Sequence, residues 1–424
     1  MHEFGRELRR LRELAGLTQI QFAARLGYHH TYVSKIESGT REPRIEFAAK
    51  ADDALAAGGA LLAAATKVRA NSAIPLPSAP RGAEPLRLPR SGLIQLPAFG
   101  ITCPSHGTDG CAALIPGGLT GVPGVDGRAV GIPTLHGFAA LLATYVEADV
   151  SAVGGDLAVP VERALNALLA VVPKARGDDA DGLMRLAARY ADVAGWLRVK
   201  RGQHGIAMAW LLRSTEWALA SGGLPTACEA LSHISVLSML EGDGATALEY
   251  ARAASEVDPD RRWISVQGQL HQARAYALLG DHREFDRQTR AARRGAELLA
   301  ERDVVEAPWL TGVAGDTFIA SHLAGGLRDL AEVIGGADRA DQAALFAEKS
   351  LTTVPADMHG SRLLLTLRLA DSQACRGDLD AAVEIARPVI PAVSSTAATP
   401  IRRELGRLRT RLGTRFDELL GDHA

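Results

Sequence analysis

The sequence predicts an all-α protein in three parts, and three observations carry that prediction. Apolar residues recur at three- and four-residue spacing through most of the 424 residues, the period of a helix with one buried face. The stretch 71–133 breaks that rhythm and is rich in proline and glycine. Beyond it, Gly242-Asp243, Gly280-Asp281 and Gly377-Asp378 each follow one Ala- and Leu-rich segment and open the next. The expected architecture is a five-helix N-terminal domain over 1–70, a partly irregular linker over 71–133 and an α-solenoid of helical hairpins over 134–424.

The first helix is expected over 4–14, with Phe4, Leu8, Leu11 and Leu14 as its core stripe. Thr18 is a good N-cap, and Gln21 completes a capping box. Phe22, Ala23 and Leu26 then share one face, and Gly27 ends the helix as a left-handed residue would. Another helix starts near His29, buries Val33 and Ile36, and stops at Gly39. Two short helices around a tight turn form helix-turn-helix geometry, whose second member enters the DNA major groove. Pro43 marks a loop. A fourth helix is expected over 45–57, and a fifth over 60–68 after Gly58-Gly59.

Charge agrees with that role. Residues 1–70 hold eleven Lys or Arg against eight Asp or Glu, a net of +3, and the remainder holds 36 against 41, a net of −5. A DNA reader needs cations to displace counterions, and the surplus sits on the segment with the motif. Arg41 and Arg44 follow the third helix, where a loop would run beside the phosphate backbone.

The run T-Q-x-x-x-A-x-x-L-G (Thr18 to Gly27), followed by V-S-K-I-E-S-G (Val33 to Gly39), closely resembles the phage-repressor-like or XRE family over residues 4–65. The resemblance implies that Gln19 grips a phosphate. It implies that His29, His30, Thr31 and Tyr32 reach base edges, with Ser34 and Lys35 further along the helix. It also implies a structural ion pair between Arg12 and Glu37. His29 stands where the family usually has Ser or Thr, which weakens the cap there.

The linker cannot bury enough apolar area to offset its ordering entropy, about 1–2 kcal/mol per residue. A short hairpin is conceivable over 93–115. Cys103, His106 and Cys111 lie close in sequence, with His136 a conceivable fourth. Zinc needs three or four such ligands around one centre. The spacing matches no familiar zinc module, so small, partly buried thiols beside an exposed histidine are the preferred reading, and no metal or cofactor is expected.

Further helices are expected over 134–150, 157–172, 180–200, 203–220, 225–240, 245–257, 261–279 and 282–300, then 307–323, 327–334, 339–352, 361–375, 379–389 and 400–420. The turn spacing is 40 from 202 to 242 and 38 from 242 to 280, wider than the 34 of tetratricopeptide repeats. The segment from Gly242 to Pro259 nevertheless resembles the second half of such a repeat, with Ala247, Ala251 and Ala254 as its small packing residues. With Tyr190 to Leu197 and Glu216 to Ala218, the chain resembles actinobacterial regulators that join a helix-turn-helix to a tetratricopeptide-like domain. That resemblance implies regulation of transcription.

A stack of hairpins leaves a concave face suited to a peptide, a protein segment or a small molecule. Tyr190, Trp210, His233, His271, Gln272 and Tyr276 are its candidate lining residues, while Trp196 and Trp217 read as packing. Phosphate-loop, zinc-protease and nucleophile-elbow motifs are missing, so an enzyme is not expected. Glu284/Arg287 and Glu404/Arg407 read as solvated helix faces. No run of eighteen apolar residues predicts a membrane span, and four scattered cysteines suit a reducing cytoplasm. The expected partners are double-stranded DNA at a two-fold operator, a second copy of the chain in a homodimer, and an unidentified small-molecule or peptide effector. An interaction scaffold or antitoxin-like protein, whose repeats hold a protein partner, is the alternative.

Overall fold

A computed structural model describes residues 3–28, 30–39, 43, 45–55, 57–61, 64–65, 92–114, 131–151, 156–356 and 358–421. The chain divides into two compact units, Met1–Ala83 and Glu84–Ala424.

The first unit contains α1 (Glu3–Leu14), α2 (Gln19–Leu26), α3 (His30–Glu37) and α4 (Ile45–Ala54). The Thr18 side chain accepts from Gln21 N while the Gln21 side chain accepts from Thr18 N, the expected capping box. Gly27 closes α2 at φ 75°. Of the expected fifth helix, Ala60, Leu61, Ala64 and Ala65 are described and helical. Phe4, Leu8, Phe22, Val33, Ile36 and Phe47 form the core of this unit.

The second unit opens with a hairpin, β1 (Leu93–Leu96) antiparallel to β2 (Cys111–Leu114), with Leu96 opposite Cys111. Its inward residues Leu96, Ile101, Cys103 and Ala113 join the core built by the helices that follow. Part of the expected linker therefore folds with the helical array. Residues 71–91 and 115–130 lie outside the described residues.

The array begins with α5 (Ile132–Ser151), α6 (Ala158–Val171), α7 (Asp178–Lys200), α8 (His204–Ala220), α9 (Leu224–Leu240) and α10 (Gly244–Glu256). It continues through α11 (Arg262–Leu278), α12 (His282–Ala296), α13 (Glu301–Glu306), α14 (Gly312–Ile334) and α15 (Ala337–Thr353). It ends with α16 (His359–Cys375), α17 (Leu379–Ala386), α18 (Ile390–Ser395), α19 (Thr399–Leu412) and α20 (Thr414–Gly421). Each Gly-Asp turn works the same way. Gly242, Gly280 and Gly377 are left-handed at φ 80°, 76° and 93°. The aspartate that follows caps the next helix, with Asp243, Asp281 and Asp378 accepting from the backbone N–H three residues on.

Within the array α7, α9, α11, α14 and α16 pack against one another in sequence as an inner layer, with α8, α10, α12, α15 and α17 as their hairpin partners outside. The layer curls far enough for its ends to meet. Helix α16 touches α5, α19 touches α7, and Arg403 Nη1 donates to the Met239 carbonyl at 2.7 Å.

Two expectations fail here. The segments 307–323 and 327–334 are not two helices, because α14 runs unbroken from Gly312 to Ile334. Gly325 and Gly326 sit inside it for close approach: a Cβ on Gly325 would stand 2.6 Å from Arg274 Nη1, and one on Gly326 would overlap the Phe285 ring. The last expected helix is instead two, α19 and α20, separated by Gly413 at φ 56°. Among the described residues no helix is long and apolar enough to cross a membrane.

Candidate functional site

In the first unit the candidate site is the outer face of α3, and its position depends on one buried carboxylate. Glu37 ends α3 and is 3 % exposed. Arg12 donates from Nε to Glu37 Oε1 at 2.6 Å and from Nη2 to Oε2 at 2.8 Å, and its Nη1 reaches the Leu17 carbonyl at 2.7 Å. Gln19 Nε2 adds another donor to Oε2 at 2.7 Å. The side chain expected on a phosphate is therefore engaged, in this structure, in holding the carboxylate that joins α1, α2 and α3.

His30, Thr31 and Lys35 are exposed on α3, and Ser34 is half-buried beside them. Tyr32 is placed differently. It stands one helical turn before Ile36, so it shares the inward edge. Its ring stacks on Tyr28 at 5.1 Å and meets Phe47 edge-on at 5.2 Å, and its hydroxyl oxygen is buried. His29, Arg41 and Arg44 lie outside the described residues.

The second unit contains a partly open cavity of about 540 Å³, lined by the inner helices together with α5, α19 and the residues Phe99 and Trp309. Its walls mix aliphatic and aromatic side chains with charges that gather at two ends. At one end Arg189 Nη1 donates to Asp192 Oδ2 at 2.9 Å and to Glu229, while His233 Nδ1 stands 2.7 Å from Asp192 Oδ1. Trp196, expected only to pack, stacks on His233 at 4.8 Å and faces the cavity. Burial pulls the His233 imidazole down, but the Asp192 and Glu229 carboxylates outweigh it and hold it above its ordinary value.

The other end is built on arginine. Arg328, fully buried, pairs with Glu404, with Asp329 at 3.2 Å and with Asp371 at 3.3 Å. Glu404 also accepts from Arg368, at 3.2 Å from Nη2. Asp329 holds Arg274 at 3.0 Å and Arg407 at 2.8 Å, and Arg411 bridges Asp371 and Glu332. Glu404 and Arg407 are thus members of a buried network and not a solvated helix face; Glu404 is 6 % exposed. Glu284 and Arg287 do form the expected surface pair.

Five arginines (Arg274, Arg328, Arg368, Arg407 and Arg411) share four carboxylates (Asp329, Glu332, Asp371 and Glu404) and Arg403 lies beside them, so six minus four leaves two positive charges. Arg403 meets none of these carboxylates among the described residues. Burial and the neighbouring Arg274 and Arg328 push Arg368 down to about 10 despite Glu404, as expected where cations crowd. His271 Nδ1, Arg274 Nε and Arg328 Nε are buried atoms of lining residues and have no hydrogen-bond partner among the described residues. His271 and His322 are both held below their ordinary value by burial, His322 at about 3, so neither adds charge at neutral pH.

Of the six lining residues expected from sequence, His233 and His271 face the cavity. Tyr190 is a core residue whose hydroxyl donates to the Phe138 carbonyl at 2.8 Å. Trp210 lies on an outer helix and donates to Glu162 at 2.9 Å. On α11 the cavity stripe is Gln267, His271, Arg274 and Leu278. Gln272 and Tyr276 fall off that stripe and bond Ser255 and Arg252 of α10. A signal for the rest was present. Polar residues recur three or four apart on successive inner helices, as Arg189/Asp192, Glu229/Ser232/His233 and Gln267/His271/Arg274. They repeat at the spacing of the Gly-Asp turns.

Cys103, His106, Cys111 and His136, separated in the chain, offer ligand atoms that all lie within 4.8 Å of one another. They are the described residues best arranged to hold a metal ion.

Residues 3–65 match the family of helix-turn-helix domains. No curated protein and no solved structure matches this chain. Match and geometry together make the N-terminal unit a helix-turn-helix domain of the DNA-binding kind.

Two outcomes follow. Glu37→Ala strips the shared acceptor from Arg12 and Gln19 and leaves the buried Arg12 only the half-exposed Glu13 at 3.7 Å, so the N-terminal unit should lose about 3 kcal/mol, read by its thermal unfolding in the full chain. His233 contributes stability that is present below pH ~6.5 and is lost as pH rises through its raised value. In Asp192→Asn burial dominates, so the His233 resonances should titrate below that reference and stability should fall on acidification.

Proposed function

We propose that this protein is a DNA-binding transcriptional regulator of the XRE type whose tetratricopeptide-like array binds a small-molecule effector. The observation that carries the effector reading is the cavity with two surplus positive charges and the buried polar atoms His271 Nδ1, Arg274 Nε and Arg328 Nε on its lining residues. A ligand with an anionic group at the arginine end and an apolar body against Trp196, Phe99 and Phe318 would suit it. The proposed organisation is a DNA reader over 1–70 joined through 71–133 to the sensor over 134–424, with the 93–114 hairpin belonging to the sensor side.

One α3 helix reads only a short half-site, so a homodimer on a two-fold operator is the economical arrangement, with half-sites about 34–36 Å apart or a multiple of that. His30, Thr31, Ser34 and Lys35 are the proposed contacts, with His29, Arg41 and Arg44 beside them. Tyr32 is reassigned to packing, and Gln19 reaches a phosphate only by leaving Glu37. The effector shifts DNA affinity by its different affinity for two states of the dimer.

Genome-wide mapping of bound sites, followed by gel retardation with the purified chain, tests the DNA half. Lys35→Ala should weaken binding across sequences and reduce the slope of log K against log salt by about 1. A chain that retards no genomic fragment at low salt defeats the reading. For the effector half, small molecules are extracted from the purified full chain and identified by mass spectrometry. Arg403→Gln should retain about tenfold less of an anionic ligand at a temperature where both chains are folded, the thermal melt reporting separately the loss of its bond to the Met239 carbonyl. Equal retention, or no extractable ligand and no binding of any anionic metabolite screened, removes the effector.

A further inference from the structure

The residues preferred as isolated thiols form a constellation that hydrogen bonding alone does not explain. Cys103 Sγ lies 3.5 Å from His106 Nδ1, and His136 Nε2 lies 3.2 Å from that same nitrogen. A neutral imidazole nitrogen has either one lone pair or one proton, so His106 Nδ1 makes one good hydrogen bond in the ring plane and not two. Convergence of a sulfur and a nitrogen on it has a simpler cause when all are ligands of one cation. Zinc–sulfur and zinc–nitrogen bonds are about 2.3 and 2.0–2.1 Å, and tetrahedral ligands stand about 1.63 bond lengths apart. That sets roughly 3.3 Å between nitrogens and about 3.6 Å between sulfur and nitrogen. Both observed separations fall within about 0.2 Å of these values.

The backbone is shaped for the same purpose. Cys103 and His106 straddle a tight turn in which Gly107 N donates to the Cys103 carbonyl at 2.7 Å, and Gly107 takes φ 55°. Gly110 takes φ 80° where the chain passes the Leu96 carbonyl, and so delivers Cys111 to the start of β2. His136 comes from the first turns of α5, outside the hairpin. Cys103 is fully buried, and the other three are half-buried at the surface of the core. The hairpin has reason to need a staple. An isolated two-stranded hairpin is marginal in water, and this one puts only Leu96, Ile101, Cys103 and Ala113 fully into the core.

We propose that Cys103, His106, Cys111 and His136 bind one structural zinc ion in a closed tetrahedral site that fastens the 93–114 hairpin to α5. The consequence reaches the cavity. Between β1 and the cysteine turn, Phe99 lines the cavity, and Gly100 lies so close to Trp309 that a Cβ there would stand 2.7 Å from the indole. The metal therefore fixes the base of a lobe whose tip forms one wall of the chamber. The site stands on the four ligands alone and holds whether or not the effector reading does.

The test uses the full chain, purified untagged under reducing conditions. Elemental analysis should find about one zinc per chain, and cobalt(II) exchanged into the site should show the visible bands of a tetrahedral thiolate complex. Blocking the thiols with an organomercurial should release that zinc to a metallochromic dye in proportion, which needs no variant. The pair Cys103→Ser and Cys111→Ser should abolish binding. His136→Asn should weaken it by more than the roughly 10–100-fold that loss of an outer hydrogen-bond partner costs. A chain with far less than one zinc and no cobalt spectrum, a Cys103–Cys111 disulfide by mass, or wild-type zinc in the double serine variant would each overturn the proposal.

Discussion

A guanidinium with no access to water must be matched by carboxylates, and much of the second unit is arranged around that requirement at Arg328. Taking such a charge out of water costs several kcal/mol, which only well-placed partners offset. Arg328 stands on α14, Asp371 on α16 and Glu404 on α19, so satisfying one group places three helices. Burial works against the charged form of Glu404, yet Arg328 and Arg368 hold its carboxyl down at about 2. Asp329 is held down in the same way by Arg328, Arg274 and Arg407, while burial pushes Asp371 up, so Glu404 and Asp329 are the carboxylates that keep their charge beside Arg328. The first unit repeats the device on a smaller scale, with Glu37 holding Arg12 and Gln19 and fixing the angle at which α3 presents its outer face.

What sequence reading captured was local. The capping box at Thr18 and Gln21, the left-handed Gly27 and the three Gly-Asp turns are decided within a few residues, and each stands where expected. The array of hairpins followed from them. Misreadings arose where a residue's role depends on a partner far along the chain. Gly325-Gly326 looks like a break until Arg274 and Phe285 are seen packed against it. Glu404 and Arg407, three apart on a helix, look like a surface pair until Arg328, 76 residues earlier, takes the carboxylate. Tyr32 is a subtler case: resemblance marked its position, while helical phase turns its ring to Tyr28 and Phe47.

The two halves also differ in what their residues are arranged to meet. The face of α3 is short, polar and outward, suited to a rigid duplex whose backbone charge does most of the attracting. The chamber is inward and asymmetric, with Asp192 and Glu229 matched by Arg189 and His233 at one end and the arginine surplus at the other.

Stacked hairpins ordinarily behave as a one-dimensional chain in which each unit feels only its neighbours and can fray from either end. Here the Arg403–Met239 hydrogen bond spans 164 residues and draws the last helices back onto the early ones. A ring has no free end from which to unzip. The array should therefore open and close as one body, and anything bound at its centre is in contact with all of it at once.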